Sequence, residues 1–339
     1  MKKIITFLVI LVVIIGSYII VNNYIDANLQ AVDSNDNAKI IVEIPQGSST
    51  SGIAEILYDN NLIRDKRIFK YYANKTGADS KLKAGDYVLS REMNVDKILE
   101  ELIKGGISGN TANITIIEGL TIEDTAMSIS EQLGLNFDEL VNIMEHGEMF
   151  NDEFQFMLDN QDITNLQGYL MPDTYNVYVN FSEEDIVRFL LSQFDSFYLE
   201  EIKPLLENSK LNFEETINLA SIVEKEALLD EERDEVAATF LNRLDINMKL
   251  QSCATVNYAL GEWKEYLTLE DIAVDSPFNT YLLEGLPPTP INSPGKISIK
   301  AVLEPAEVDY LYFVAKGDGT HHFSNNYDDH LAAKDKYMQ

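Results

Sequence analysis

Residues 219–227 read Leu219-Ala220-Ser221-Ile222-Val223-Glu224-Lys225-Glu226-Ala227, a run that sets carboxylates inside an otherwise apolar helical segment. At roughly 100° per residue, Leu219, Ile222, Val223, Glu226 and Leu229 fall within about 60° of one another, whereas Glu214, Asn218, Lys225 and Glu232 share a polar face. Glu226 therefore points with the apolar stripe. Asn212, followed three residues later by Glu215, has the form of a capping pair, so the spacing predicts a helix from near Phe213 to about Glu232. A glutamate on such a face has two readings. It is either an acid kept protonated by burial or a core-edge carboxylate paired with an arginine such as Arg233 or Arg243. Glu224, on the opposite face beside Ile217, Ala220 and Leu228, is the alternative acid.

On the C-terminal side, Val236, Ala237, Phe240 and Leu241 lead into Asn242-Arg243-Leu244 and predict a second helix. Three polar stretches follow: Leu250-Gln251-Ser252-Cys253-Ala254-Thr255-Val256, Ser276-Pro277-Phe278-Asn279-Thr280-Tyr281 and Gly285-Leu286-Pro287-Pro288-Thr289-Pro290. They read as ordered loops with the hydrogen-bonding side chains and proline turns expected around a polar ligand. Tyr310 to Ala315 is expected to be a buried strand, with Lys316-Gly317-Asp318-Gly319 turning it into a hairpin through His321 to Ser324. Upstream, Gly168-Tyr169-Leu170-Met171-Pro172-Asp173-Thr174-Tyr175 reads as a packed proline loop.

At the N-terminus, Lys2 and Lys3 precede Ile4 to Val21, eighteen residues without a charge. At 1.5 Å per residue this run spans about 27 Å, enough to cross a bilayer core. Residues 1–23 are therefore expected to be a cytoplasmic N-terminus and transmembrane helix, with the rest of the chain outside the cell membrane. A cleavable signal peptide is the competing reading, although no A-x-A site follows the apolar run. Residues 24–38 read as a polar linker, with structure starting after it. Residues 39–108 alternate strand and helix signals: Ile40 to Ile44, then Ile53, Ile56 and Leu57, Lys66 to Lys75, Tyr87 to Leu89, and Val95 to Leu102, closed by Gly105-Gly106. The opening is partly repeated, as Ile114 to Gly119 and then Thr121, Ile122, Ala126, Ile129 and Leu133 again give strand, glycine and capped helix. These units resemble LysM-like glycan-binding modules; a spacer lifting the rest of the chain off the membrane is the alternative.

The chain has 339 residues, 45% hydrophobic and 24% charged, which allows two or three domains with real cores. Its 56 acidic and 26 basic residues give a net charge of -30, which repels phosphate backbones and excludes nucleic acid as a natural partner. Cys253 is the single cysteine, so neither an intramolecular disulfide nor a cysteine-based metal cluster can form. His321, His322 and His330 match no usual ligand spacing, and no metal or other cofactor is expected.

The motifs Gly168 to Tyr175, Ala220 to Glu226, Phe240 to Leu244, Leu250-Gln251, Thr255-Val256, Asn279-Thr280-Tyr281, Gly285 to Pro288 and Tyr310 to Ala315 occur in one order. Taken jointly, they resemble the YceG-like (MltG-type) membrane-anchored endolytic murein transglycosylases over nearly the whole chain. The resemblance implies an α+β protein: one transmembrane helix, a LysM-like subdomain at 39–108 and a catalytic domain at 112–339. The family's catalytic acid is the second glutamate of its Glu-Lys-Glu run, which is Glu226 here. The chain departs from the family pattern where Asp-Pro usually precedes Thr-Val; here Cys253-Ala254 stands in its place.

What the resemblance implies chemically is cleavage of the β-1,4 bond between N-acetylmuramic acid and N-acetylglucosamine in nascent peptidoglycan, with 1,6-anhydromuramoyl ends. One carboxyl then serves as acid and base, because the muramoyl 6-hydroxyl replaces water as nucleophile. Gln251, Thr255, Asn279, Tyr281 and His321 are the candidate glycan contacts, each also readable as a loop brace. Glycan strands, the membrane and, by resemblance, peptidoglycan synthases and elongation or division proteins are the implied partners. The rivals are a non-enzymatic glycan-binding scaffold and a hydrolase with Asp173 or Asp275 as second carboxylate.

Overall fold

The computed structural model describes residue 16 and residues 21–36, 39–105, 111–161, 163–179 and 181–337. The expected membrane-spanning stretch, residues 4–21, lies outside the described residues except for Gly16 and Val21. Among the described residues no helix is long and apolar enough to cross a membrane. The chain divides into two compact units, residues 1–110 and 111–339.

In the first unit residues 21–29 form helix α1, which corrects the expectation of an unstructured linker there. Leu29 is buried in the unit's core, and Arg64 donates to the carbonyls of Ala31 at 2.9 Å and Val32 at 3.2 Å. The segment's polar composition hid this, because the anchoring comes from one leucine and from backbone carbonyls. Strand β1 (Lys39–Ile44), helices α2 (Thr50–Asp59) and α3 (Lys66–Lys75), strand β2 (Gly85–Ser90) and helix α4 (Val95–Lys104) follow. The two strands pair antiparallel with Val42 opposite Tyr87. Their inward residues Val42, Ile44, Tyr87 and Leu89 meet Leu57, Phe69, Ile98 and Leu102 of the helices. Ser49, Asp65 and Asn94 cap the three helices by accepting backbone N–H groups of their first turns.

The second unit opens similarly, with β3 (Thr111–Ile116), α5 (Ile122–Leu133), α6 (Phe137–Glu145), the short α7 (Gln155–Asp159) and β4 (Asp173–Tyr178), which pairs antiparallel with β3. Strand β4 begins inside the stretch read as a proline loop: the turn ends at Pro172, and Tyr175 and Val177 alternate inward. Helices α8 (Glu183–Phe197), α9 (Lys203–Leu206) and α10 (Phe213–Glu226) follow, with a π-helical turn at Tyr198–Ile202. Next come α11 (Arg233–Asp245), α12 (Cys253–Leu260), α13 (Lys296–Leu303), the hairpin β5 (Tyr312–Ala315) and β6 (His321–Ser324), and α14 (Tyr327–Tyr337). The expected hairpin is present, although of β5 only Val314 is fully buried.

Helix α10 is the axis of this unit and packs against α11, α12 and α13. Its start is fixed twice. Asn212 and Glu215 form the reciprocal capping box, and Phe213 enters an aromatic cluster with Phe156, Tyr169, Phe194 and Tyr198, its ring 4.9 Å from that of Tyr198. Such aromatic pairs add about 0.5–1.5 kcal/mol each beyond their area burial. Its end differs from the expectation of Glu232: the helix stops at Glu226, and Ala227 is extended at φ -94°, ψ 115°. Leu228 and Leu229, counted by periodicity as helical, are exposed. Asn218, placed on the polar face, is buried and donates to the Pro287 carbonyl at 2.6 Å.

Candidate active site

Because α10 ends at Glu226, this carboxyl stands on the last turn with no further turn above it. The position is unfavourable for a negative charge, since the helix C-terminus carries partial negative charge and Leu219, Ile222 and Val223 are wholly buried along the same stripe. Burial pushes the Glu226 carboxyl above the ordinary glutamate range, while the Ser252 hydroxyl, the Ala254 amide and the nearby side chains of His321 and Arg243 pull it part of the way back. Ser252 Oγ donates to Glu226 Oε1 at 2.5 Å. Neither His321 nor Arg243 is the partner a retaining hydrolase needs, a second carboxylate about 5–5.5 Å away. Asp173 is exposed and 3.5 Å from Lys296 Nζ, and Asp275 is exposed.

Glu224, the alternative acid, is fully employed elsewhere. Its Oε1 lies 3.0 Å from Arg233 Nη1, and its Oε2 accepts from the Gly295 N–H at 2.9 Å and Ser298 Oγ at 2.8 Å. The arginine-paired, core-edge role weighed for Glu226 thus belongs to Glu224, which ties α10 to α11 and α13.

Of the expected contact residues, Tyr281 and His321 are brought toward Glu226. The Tyr281 hydroxyl lies 3.2 Å from Cys253 Sγ, and burial raises its pKa. His321 is held by Glu232, which takes its backbone N–H at 3.0 Å and meets its Nδ1 at 2.8 Å. Gln251 is exposed at the rim and has a left-handed backbone, φ 50°. Thr255 and Asn279 are corrections: both are 0% exposed and act behind the site. The Asn279 amide donates to Ile272 O at 3.0 Å and Val274 O at 2.8 Å, and its Oδ1 accepts the Tyr281 N–H. Thr255 Oγ1 donates to Ser252 O at 2.9 Å and lies 2.8 Å from Thr280 Oγ1.

Ser252 escapes the sequence reading because the stretch from Leu250 to Val256 has the polar composition of a loop, yet becomes helical at Cys253. The usable signal was a serine immediately before an apolar run, the pattern of a helix N-cap. The sequence reading also misses the role of Arg243, whose Nε and Nη1 donate to Leu311 O at 2.6 Å and Leu250 O at 2.5 Å while its guanidinium lies 5.5 Å from the Tyr312 ring. Arg243 thereby fixes the loop before Ser252 to the β5 hairpin. Cys253-Ala254, in place of the family's Asp-Pro, has a chemical consequence: Ala254 supplies Glu226 with an N–H that a proline lacks.

A cavity of about 710 Å³ opens alongside, bounded by Lys225, Ala254, Asn257, Tyr258 and Trp263 among others. Trp263 is largely exposed, with Lys225 Nζ 5.3 Å from its ring centre. As for the histidines considered as metal ligands, His330 stacks on Tyr312 and His322 lies against Tyr337. Among the described residues no three His, Cys, Asp or Glu side chains converge as a metal site.

Comparison with known proteins gives the same direction. The chain is 34% identical over 320 residues to the endolytic murein transglycosylase of Bacillus subtilis, covering 91% of this chain and 88% of that protein. It is 32% identical to the endolytic murein transglycosylase of Streptococcus pneumoniae over 96% of its own length, although this spans only 63% of that longer protein. A crystal structure of a yceG-like protein from Listeria monocytogenes superposes with a TM-score of 0.59 at 35% identity, covering 87% of this chain and 98% of that one. Residues 42–336 match the YceG-like family, a span that takes in most of both units, and the chain belongs to that family.

Proposed function

We propose that the protein is an endolytic peptidoglycan lytic transglycosylase in which Glu226 is both the acid and the base. The observation that carries this reading is one partly buried carboxyl at a helix end, with its pKa raised and its oxygen held by Ser252. The protonated Glu226 gives its proton to the glycosidic oxygen as the bond from muramoyl C1 to that oxygen breaks. The resulting carboxylate then takes the proton of the muramoyl 6-hydroxyl while O6 bonds to C1. Charge and protons balance without water, so a single carboxyl suffices. The cavity beside Ala254 has room for part of a glycan chain, and the exposed indole of Trp263 offers a flat face for a sugar ring.

The finer points are part of the same proposal. Residues 4–21 anchor the chain in the membrane with its N-terminus in the cytoplasm, so that it works on strands emerging near the bilayer beside the machinery that makes them. The first unit, in which strand β1 is followed by a capped helix as in LysM-like modules, holds glycan. Mass spectrometry of a digest of uncrosslinked strands tests the chemistry: anhydro-ended products are about 18 Da lighter than hydrated ones, because ring closure replaces addition of water. Hydrated ends would replace the reading with hydrolysis, and an absence of cleavage by the wild type would leave a binding scaffold.

A further inference from the structure

We infer that Ser252 is the positioning residue that lets one carboxyl serve first as acid and then as base: its hydroxyl orients Glu226 and stabilises the carboxylate left after the proton has gone. This rests on Glu226 being the acid of the proposed reaction. Ser252 occupies the N-cap position of α12 with extended backbone, φ -83°, ψ 130°, yet makes no side-chain cap bond. An N-cap serine ordinarily accepts a first-turn N–H, a bond worth about 1 kcal/mol. Here that bond is forgone, and the hydroxyl donates to Glu226 Oε1 instead. With Oε1 engaged as acceptor, the transferable proton belongs on the other carboxyl oxygen. The Ala254 N–H, a first-turn donor that the missing cap leaves available, also favours the Glu226 carboxylate.

The serine is itself held on every side. It is 2% exposed, its N–H donates to Thr280 Oγ1 at 3.1 Å, and its carbonyl accepts from Thr255 Oγ1 at 2.9 Å. Since the Thr255 proton is spent on that carbonyl, the Thr280 hydroxyl donates to Thr255, and the three residues close a ring of bonds. Gln251, just before it, adopts φ 50°, a conformation a side chain disfavours, and is held there by its N–H bond to Thr280 O. Strain of this kind persists where the surroundings over-determine it. Thr255 and Thr280 thus act on the chemistry through Ser252.

The carboxyl needs this support because its setting favours the proton. Apolar burial and the helix C-terminus make a bare carboxylate costly, so the first proton transfer would run uphill without donors waiting for the anion. The titratable groups facing Glu226 from its surroundings are His321 from β6, Arg243 from α11, Cys253 from α12 and Tyr281 from the loop after Thr280. None of them changes when Ser252 is replaced.

The test measures the pH profile of kcat/KM on uncrosslinked glycan strands for Ser252→Ala and Ser252→Gly, with thermal melts of both. Neither change removes a cap bond, and glycine is itself an accepted N-cap residue, so both variants should fold. Loss of a donor to the anion raises the acid's pKa, so the alkaline limb should move up by about one pH unit, with the plateau falling about tenfold. Folded variants that keep the wild-type limb overturn the inference. Glu226→Gln is run in parallel: an inactive Gln variant beside unmoved Ser252 variants sinks the role of Ser252 alone, whereas an active one sinks the acid assignment itself.

Discussion

Glu224 and Glu226 stand two residues apart at the end of one helix and are held by opposite chemistry: Glu224 meets Arg233 at 3.0 Å, while Glu226 meets the hydroxyl of Ser252. Ser252 brings a neutral hydrogen bond, whereas Arg233 brings a full opposite charge into direct contact. Burial with no charge in direct contact holds the Glu226 carboxyl above the ordinary glutamate range, so it keeps its proton more readily.

Glu226→Gln is expected to abolish strand cleavage and to change stability in a pH-dependent way. The folded pKa of Glu226 is raised, so between the ordinary glutamate range and that raised value the unfolded chain binds fewer protons than the folded one. Wild-type stability is accordingly full at acid pH and falls as pH rises through the folded pKa. Glutamine does not titrate, so the variant's stability relative to wild type should improve from acid to neutral pH. Urea denaturation at acid and neutral pH measures it, and a variant that loses stability relative to wild type as pH rises would contradict the direction of the shift.

Glu224→Ala should act on stability first. It strands Arg233, whose side chain is only 11% exposed, with just Asp230 and Ser298 left as partners. Removing one partner of a buried pair costs about 3–5 kcal/mol, and a value near the lower end is expected because Asp230 remains. Glu224→Gln keeps an acceptor for the Gly295 amide and should cost less. If Glu224→Ala melts like wild type but loses activity, Glu224 is a chemical participant after all.

How much of this was legible beforehand depended on the range of the interactions. The α10 cap, its buried stripe and Glu226 could be read because Asn212, Glu215, Leu219 and Ile222 are neighbours along one helix. The helix end could not: the periodic pattern continues to Leu229, and the break at Ala227 accompanies the later pairing of Arg233 with Glu224 and Asp230. Helix α12 escaped because eight residues give too little periodicity to outweigh the polar Gln251-Ser252 that precedes them. Thr255 and Asn279 have the residue types of ligand contacts, and only burial distinguishes a brace from a contact.

Asn279→Ala should therefore behave as a loop defect. It removes the donors to the Ile272 and Val274 carbonyls and the acceptor for the Tyr281 amide, leaving partly buried backbone groups without these bonds, at about 2–3 kcal/mol in all. A brace lowers the melting temperature while KM for glycan measured on the folded protein stays within about twofold, well under the effect of losing a direct contact. A large rise in KM at unchanged stability would restore Asn279 as a glycan contact.

The last prediction concerns what places α10 itself. Gly168 opens the buried turn before β4 with φ 98°, a region that L side chains rarely adopt, and a Cβ there would lie 2.8 Å from the Pro290 ring and 2.9 Å from Ile217 Cγ2. Neither neighbour can yield easily: Pro290 is a rigid ring in a chain of prolines, and Ile217 is wholly buried on α10. Gly168→Ala thus meets two costs, about 1–2 kcal/mol for the backbone and about 1–3 kcal/mol for overpacking. Gly285 provides the control, since it has a similar φ of 81° but open space where its Cβ would go. Gly285→Ala should show the backbone cost alone. Equilibrium unfolding of the two variants should differ by about 2 kcal/mol, with Gly168→Ala the weaker. Equal losses would mean that the turn can move away from α10, and that the close approach of Gly168 does not fix the helix carrying Glu226.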